Sequence, residues 1–358
     1  MVFLMTKENR IFIKNIYYML SYAFKALKQS NYEEIAAEDF DYIEDLFAAI
    51  LSKGIAQQLK HGLYREYMTK SDSLSVMRGK LNISGTVQHR LQRDHKLSCE
   101  FDELSENTLM NQILKTTMIY LIRQESVKTE HKQALKKLLV YFGSVDLLDL
   151  LRVPWPKLQY HRNNKNYELL MNVCYFLLDG MLQTTESGNY RMQAFTDKYM
   201  SRLYEKFILE YYRVHHPYLA EVKASQITWD LEGDTPWSIM KVLPTMQSDV
   251  FLRMDDKILI IDAKFYNKTM QQQFDKYTLH SNNLYQIYSY VKNQDKENTG
   301  NVSGILLYAK TDEALTPDCQ FNMGGNVIAA QTLDLNTDFK FIAKALDEIP
   351  KTYFLAEN

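Results

Sequence analysis

The sequence is short of the features that assign a protein quickly. It has three cysteines in 358 residues. Cys99, Cys174 and Cys319 stand too far apart for any zinc-ligand spacing, so reduced, buried thiols are expected rather than a zinc module or a disulfide framework. The formal charge is only −2, which offers no global footprint for nucleic acid, and any such contact must come from a local patch. The opening run MVFLMTKENR holds too few apolar residues for a signal peptide. No segment is long enough to span a bilayer, so a cytoplasmic protein without membrane contact is expected. No G-x-x-x-x-G-K-[ST] loop occurs, because Gly79-Lys80 lacks the earlier glycine and is followed by leucine. Nucleotide binding through a P-loop is therefore not expected. Internal repeats and low-complexity tracts are absent too.

What is present is ordinary for a globular chain: 46% hydrophobic and 24% charged residues, with length enough for two domains that each bury a core. The 25 tyrosines and 16 methionines fit large packed surfaces. Apolar spacing predicts helices over Lys14–Gln29, Asp41–Leu59 (closed by Gly62), Leu109–Gln124, Glu130–Phe142 and Tyr167–Leu182. Between the second and third of these the period changes. Leu63–Met68 and Leu81–Val87 read as strands of a hairpin whose loop ends in Arg78-Gly79-Lys80, a contact element for a phosphate or a partner, or simply a turn with solvated charges. The polar segment Thr184–Thr196 marks the expected boundary, giving domains 1–190 and 191–358. Beyond it come a helix over Asp197–Val214, a strand at Leu219–Trp229, a hairpin, a helix over His280–Asn293, strands at Val302–Ala309 and Val327–Leu335, and a closing helix at Phe339–Leu346. That order describes a mixed sheet with helices on its faces, and the whole chain an α+β or α/β protein with a mostly helical N-terminal domain.

The hairpin is the stretch Met246–Tyr266. Val250-Phe251-Leu252 leads in, Ile258-Leu259-Ile260-Ile261 leads out, and Met254-Asp255-Asp256-Lys257 is turn-prone. With Asp255 and Asp256 central, Asp249 falls opposite Asp262, on one face with Cβ atoms about 5 Å apart, and alternation adds Lys264 to that face. Opposed carboxylates at the end of a core strand need a compensator. A divalent cation, Mg²⁺ above all, meets that need, takes one or two carboxylates, and can activate water for phosphodiester hydrolysis. The competing reading is a surface hairpin with its charges in water.

The second half resembles PD-(D/E)xK nucleases. Ser248-Asp249 followed by Asp262-Ala263-Lys264 carries the resemblance, with Ser248 where the usual pattern has proline. It implies Asp249 and Asp262 as metal ligands, the Ala263 carbonyl as a third, and Lys264 positioning the water. Gln286-Ile287-Tyr288-Ser289-Tyr290 is similar to the Q-x-x-x-Y element of RecB-like members, which implies DNA contact by Gln286 and Tyr290. Glu205, in Leu203-Tyr204-Glu205-Lys206-Phe207, matches an acidic residue on the first helix of such domains and would be a further metal ligand, with Glu210 as the other candidate.

Over nearly its full length the chain resembles the McrC family, the nuclease subunits of McrBC-type modification-dependent restriction systems. The stretches that carry this are Lys14–Ala23, Arg78-Gly79-Lys80, Phe101-Asp102 with Asn107-Thr108-Leu109, the hairpin, and Asn283-Leu284-Tyr285-Gln286. The resemblance implies a Mg²⁺-dependent endonuclease that cuts double-stranded DNA carrying methylcytosine. It would work together with an McrB-like AAA+ GTPase ring, bound through the N-terminal half. Arg78 and Lys80 are then the residues expected to contact that ring and influence its GTP hydrolysis. Whether two complexes pair to cut both strands is left open. A subunit that mainly activates the GTPase, or a stand-alone repair nuclease, are the alternatives.

Overall fold

The computed structural model describes residues 10–23, 35, 38–149, 152–162, 164–187, 189–231, 233, 241–265, 270–273, 276–310 and 316–355. The chain divides into two compact units, one formed by Met1–Leu46 with Gln183–Asn358 and the other by Phe47–Leu182. The boundary expected at 190/191 is thus replaced by two crossings, and the N-terminal helix belongs with the C-terminal sheet. That helix, α1 (Arg10–Ala23), buries Ile16, Tyr17, Met19, Leu20 and Tyr22. Asn15 Nδ2 donates to the carbonyls of Leu335 and Thr337 at 2.7 and 2.8 Å. Tyr18 stacks on Phe339 with ring centroids 4.2 Å apart. The helix was expected to run to Gln29, but residues 24–34 lie outside the described ones.

In the middle unit, α2 (Ile43–Leu59) buries Phe47, Ile50, Leu51 and Ile55, and Gly62, at φ +82°, turns the chain away. Then come β1 (Glu66–Leu74), β2 (Lys80–Leu81), α3 (Ile83–Leu91) and β3 (Leu97–Ser105), forming a sheet of order β1-β3-β2. All its pairings are antiparallel, from Glu66↔Ser105 to Leu74↔Leu97. The expected strand over Leu81–Val87 is mostly helix, and the true partner of β1 lies further on. Asn82 decides this by capping α3, its Oδ1 accepting from the Gly85 amide at 3.0 Å. Gly85 then rests on β3 so closely that a Cβ would meet the Ser98 hydroxyl at 2.6 Å. Thr108 caps α4 (Leu109–Arg123), whose Ile113, Leu114, Met118 and Leu121 are buried. There follow α5 (Thr129–Leu139) and α6 (Tyr167–Ser187), the latter buried along Tyr167, Leu170, Met171, Val173, Cys174 and Leu178.

The segment expected to be a polar boundary is helical on either side of residue 188, since α7 spans Asn189–His215. Polarity by itself does not oppose a helix, and Glu186, Arg191, Met192, Gln193 and Ala194 are good helix formers. Next come β4 (Glu221–Lys223), β5 (Gln226–Ile227), β6 (Met246–Gln247), β7 (Val250–Met254), β8 (Lys257–Phe265), β9 (Gln271–Gln273), β10 (Lys276–Thr278), α8 (Ser281–Gln294), β11 (Val302–Lys310), β12 (Cys319–Met323), β13 (Asn326–Asp334) and α9 (Phe339–Pro350). The strand expected over Leu219–Trp229 is thus two short ones.

Six of these strands form one sheet of order β12-β13-β11-β8-β7-β4. The β8–β11 and β11–β13 pairings are parallel and the other three antiparallel, so the sheet is mixed. β8 sits inside it with Leu259, Ile260 and Ile261 fully buried, as a strand covered on both faces requires. Gly304 on β11 admits α8, because a Cβ there would lie 2.7 Å from Val291 and 2.8 Å from Ile287. β12 was not anticipated. It is an edge strand with no fully buried residue, and Cys319 on it is exposed, not buried like Cys99 and Cys174. Among the described residues no helix is long and apolar enough to cross a membrane.

Candidate active site

The hairpin turn falls at Asp255-Asp256. Asp255 takes φ +54°, a conformation that Asp tolerates better than most residues, and Met254↔Lys257 is the first pair behind it. The ladder runs back to Val250↔Ile261, so Asp249 stands one step beyond, beside Asp262. The approach to Asp249 is pinned by Ser248, which is fully buried. Its hydroxyl donates to the Ser225 carbonyl at 3.0 Å and accepts from the Ser225 amide at 3.2 Å.

Asp249 Oδ2 accepts from the Ala263 amide at 2.8 Å, which draws its carboxylate onto the end of β8. Asp262 is 1% exposed. Burial, and then for Asp249 the neighbouring Asp262, raises both carboxyls above the ordinary aspartate range. That is the electrostatic signature of two acids forced into one dry site. Lys264 Nζ lies 2.7 Å from Asp262 Oδ2 as an ion pair, and its charge partly offsets the rise that burial causes. The same ammonium donates to Gln286 Oε1 at 3.1 Å. Gln286 Nε2 donates to the Tyr290 hydroxyl at 2.8 Å, and that hydroxyl donates to the Gln247 carbonyl at 3.2 Å. Gln286 and Tyr290, four apart on α8, therefore reach the site together, although Tyr290 is turned inward and buried.

Glu205 on α7 is held by the Ser201 hydroxyl at 3.2 Å. Burial raises its carboxyl against the Ser201 bond and Lys264, which lower it, while Asp262 adds to the rise, so it lies within electrostatic reach of the pair. Among the described residues no three acidic, histidine or cysteine side chains close on one metal position. Glu210 points elsewhere and is paired with Arg213 at 2.6 Å. Arg78 and Lys80 belong to the middle unit, where both are exposed. The Arg78 guanidinium sits 4.1 Å over the Phe101 ring and 3.5 Å from Glu103, and Lys80 lies opposite Glu100 in the strand register. The sequence singles out Ser248 only as a motif position, and it marks neither Ser201 nor the Gln247 carbonyl. One is a small hydroxyl on a helix and the other is backbone, so no residue-type signal marks them.

A mixed sheet thus brings two aspartates and a lysine together at the end of one central strand. The chain belongs to the family of McrBC 5-methylcytosine restriction system components, which it matches over residues 5–309. It is 29% identical to the type IV methyl-directed restriction enzyme EcoKMcrBC of Escherichia coli (strain K12) over 346 residues, 95% of this chain and 97% of that one. In fold it is similar to a chain in the refined half-complex from the tetradecameric assembly of Thermococcus gammatolerans McrB AAA+ hexamers with bound McrC. That likeness has a TM-score of 0.51 at 17% identity and covers 97% of this chain and 78% of that one.

Proposed function

We propose that this chain is the Mg²⁺-dependent endonuclease subunit of an McrBC-like restriction complex, of the PD-(D/E)xK type. It cuts methylcytosine-containing DNA together with an AAA+ GTPase ring whose GTP hydrolysis it stimulates. The observation that carries the reading is the convergence of Asp249, Asp262 and Lys264 at the end of β8, in a chain of this family. Two buried carboxylates that resist ionising together suit a divalent cation better than they suit each other. Asp249, Asp262 and the Ala263 carbonyl would hold it. When bound, such an ion lowers the pKa of a water and stabilises the leaving oxygen. Lys264, held by Gln286, presents its ammonium to the phosphate or to the attacking water. Glu205 shapes the field from α7, and the residues bring two acidic ligands together without it.

The partner contact falls to the β1–β3 sheet with α3. Its helix is inside out: His89 bonds Ser73 at 2.7 Å and Thr86 accepts from the Ser98 amide at 3.1 Å, while Ile83, Val87 and Leu91 form an exposed stripe. Val76 and Met77, beside Arg78, are exposed as well. Apolar surface displayed this way suits a protein partner. It also keeps in view the reading in which stimulating a GTPase is the main task.

The test is plasmid cleavage in Mg²⁺ and GTP with the McrB-like partner, on methylated and unmethylated DNA, comparing wild type with Asp262→Ala. Cutting that needs the partner, GTP and Asp262 supports the reading. Stimulated GTPase without any cutting leaves a regulator. Cutting by the chain alone favours a stand-alone nuclease.

A further inference from the structure

Gln286 and Tyr290 were expected at the DNA, yet each spends its polar atoms inside the protein. The chain of bonds they form has a direction set by chemistry. The Gln247 carbonyl can only accept, so the Tyr290 hydroxyl must donate to it, at 3.2 Å. With its hydrogen committed, that hydroxyl offers a lone pair to the Gln286 side chain at 2.8 Å, which must answer with its NH₂. The amide carbonyl is thereby turned toward Lys264 Nζ, at 3.1 Å. A flipped amide would set NH₂ against the lysine NH₃⁺ and lose both bonds. Tyr290 is 6% exposed and touches neither Asp249 nor Asp262 by hydrogen bond.

Resting on the nuclease reading above, we infer that Tyr290 is a positioning residue. Through a directional relay from the Gln247 carbonyl it fixes which end of the Gln286 amide faces Lys264, and so where the ammonium stands between Asp262 and the scissile phosphate. No proton or electron moves in this relay, and its whole effect is orientation.

The relay makes a prediction that a DNA-contact role does not. Tyr290→Phe removes the hydroxyl that anchors the Gln286 NH₂, so the amide is free to swing away from Lys264. Gln286→Glu removes the need for orientation, because both carboxylate oxygens accept. In single-turnover cleavage with the partner, GTP and Mg²⁺, Y290F is expected to slow the cutting step about 2- to 10-fold, the worth of one neutral hydrogen bond, with the half-saturating DNA concentration unchanged. In the Q286E background the same substitution is expected to cost nothing further. An equal cost in both backgrounds, or a raised half-saturating DNA concentration at an unchanged rate, overturns the relay. A crystal structure of Y290F decides independently of cleavage and serves if Q286E is too slow to assay. Lys264 Nζ is expected beyond hydrogen-bond distance of Gln286, and an unchanged contact overturns the proposal. Failure of the nuclease reading is a separate result, since it appears as wild type cutting no better than D262A.

Discussion

The β7–β8 hairpin and the β1–β3 sheet with α3 are built on opposite principles. Along β8 only partial exposure occurs, and Leu259, Ile260, Ile261 and Asp262 are all essentially excluded from water. Along β1 the first seven residues are exposed, and α3 buries none of its own. The first region uses its apolar residues for a core and then places charge at the end of it. The second keeps its polar groups for internal bonds and displays its apolar ones. Burial in the hairpin makes chemistry possible, because charges in a dry site are strong and few. Exposure in the other region suits the second protein proposed above. The same residue types thus mean different things according to which side of the sheet or helix they occupy.

The largest effect that could break this contrast is at the carboxylates. Asp262→Ala is expected to lower methylated-plasmid cleavage by ~10³-fold or more, as loss of a group acting in concert with others does. Stimulation of the partner's GTP hydrolysis should persist, because that is assigned to the middle unit. Loss of both activities together would mean that the two regions do not divide the work. Next in size is the core itself. Ile260 packs among Phe251, Ile287 and Leu306, and Ile260→Ala is expected to cost about 2–5 kcal/mol by denaturant titration.

How much of this was legible in the sequence follows the same contrast. The hairpin's register was readable because an apolar run and a two-residue turn leave one way to pair, and counting from the turn places Asp249 beside Asp262. The helices α2, α4, α5 and α8 were readable for a similar reason, since their buried faces recur with the helical period. The region around α3 was misread because its apolar residues do not mark a core. Ile83 and Val87 fit strand alternation as well as a helical stripe, and the deciding signals, the Asn82 cap and the close seat of Gly85 on Ser98, are single residues. The membership of α1 in the C-terminal unit rests on Asn15 reaching carbonyls 320 and 322 positions away, which no local pattern announces. The inward commitment of Gln286 and Tyr290 was hidden for the same reason.

A smaller and oppositely signed effect is expected from Asp249→Asn. In the metal-free protein, burial and Asp262 raise the Asp249 carboxyl, so the folded state keeps a proton that the unfolded chain would release. Between the ordinary aspartate range and the raised value the folded state binds more protons, and stability therefore falls as pH rises. D249N removes that penalty. It is expected to raise the metal-free Tm at neutral pH by about 2–4 °C and to flatten its dependence on pH, while cleavage is lost. For wild type, Mg²⁺ binding should weaken as pH drops and release protons, measurable by titration calorimetry in two buffers of different ionisation enthalpy. An unchanged Tm together with pH-independent Mg²⁺ binding would show that the two aspartates do not share a charge problem.

The smallest expected effect on stability tests the other region, and it is the most telling. Ile83, Val87 and Leu91 are 72%, 50% and 78% exposed, so replacing all three with serine removes little that folding had buried. Each change should stay within about 0.5 kcal/mol by denaturant titration. A surface built for a partner predicts a different reading in a second assay: at fixed partner concentration, stimulated GTP hydrolysis should fall, and more protein should restore it, because affinity rather than fold has been lost. Loss of stability in the triple variant would mean that the stripe is covered within this chain and that α3 is not inside out. Unchanged stability with unchanged stimulation would move the contact elsewhere on the sheet, with the exposed tip at Val76 and Met77 next in line. Only the combination of an untouched fold and a weakened partner response leaves the two regions as different in purpose as they are in construction.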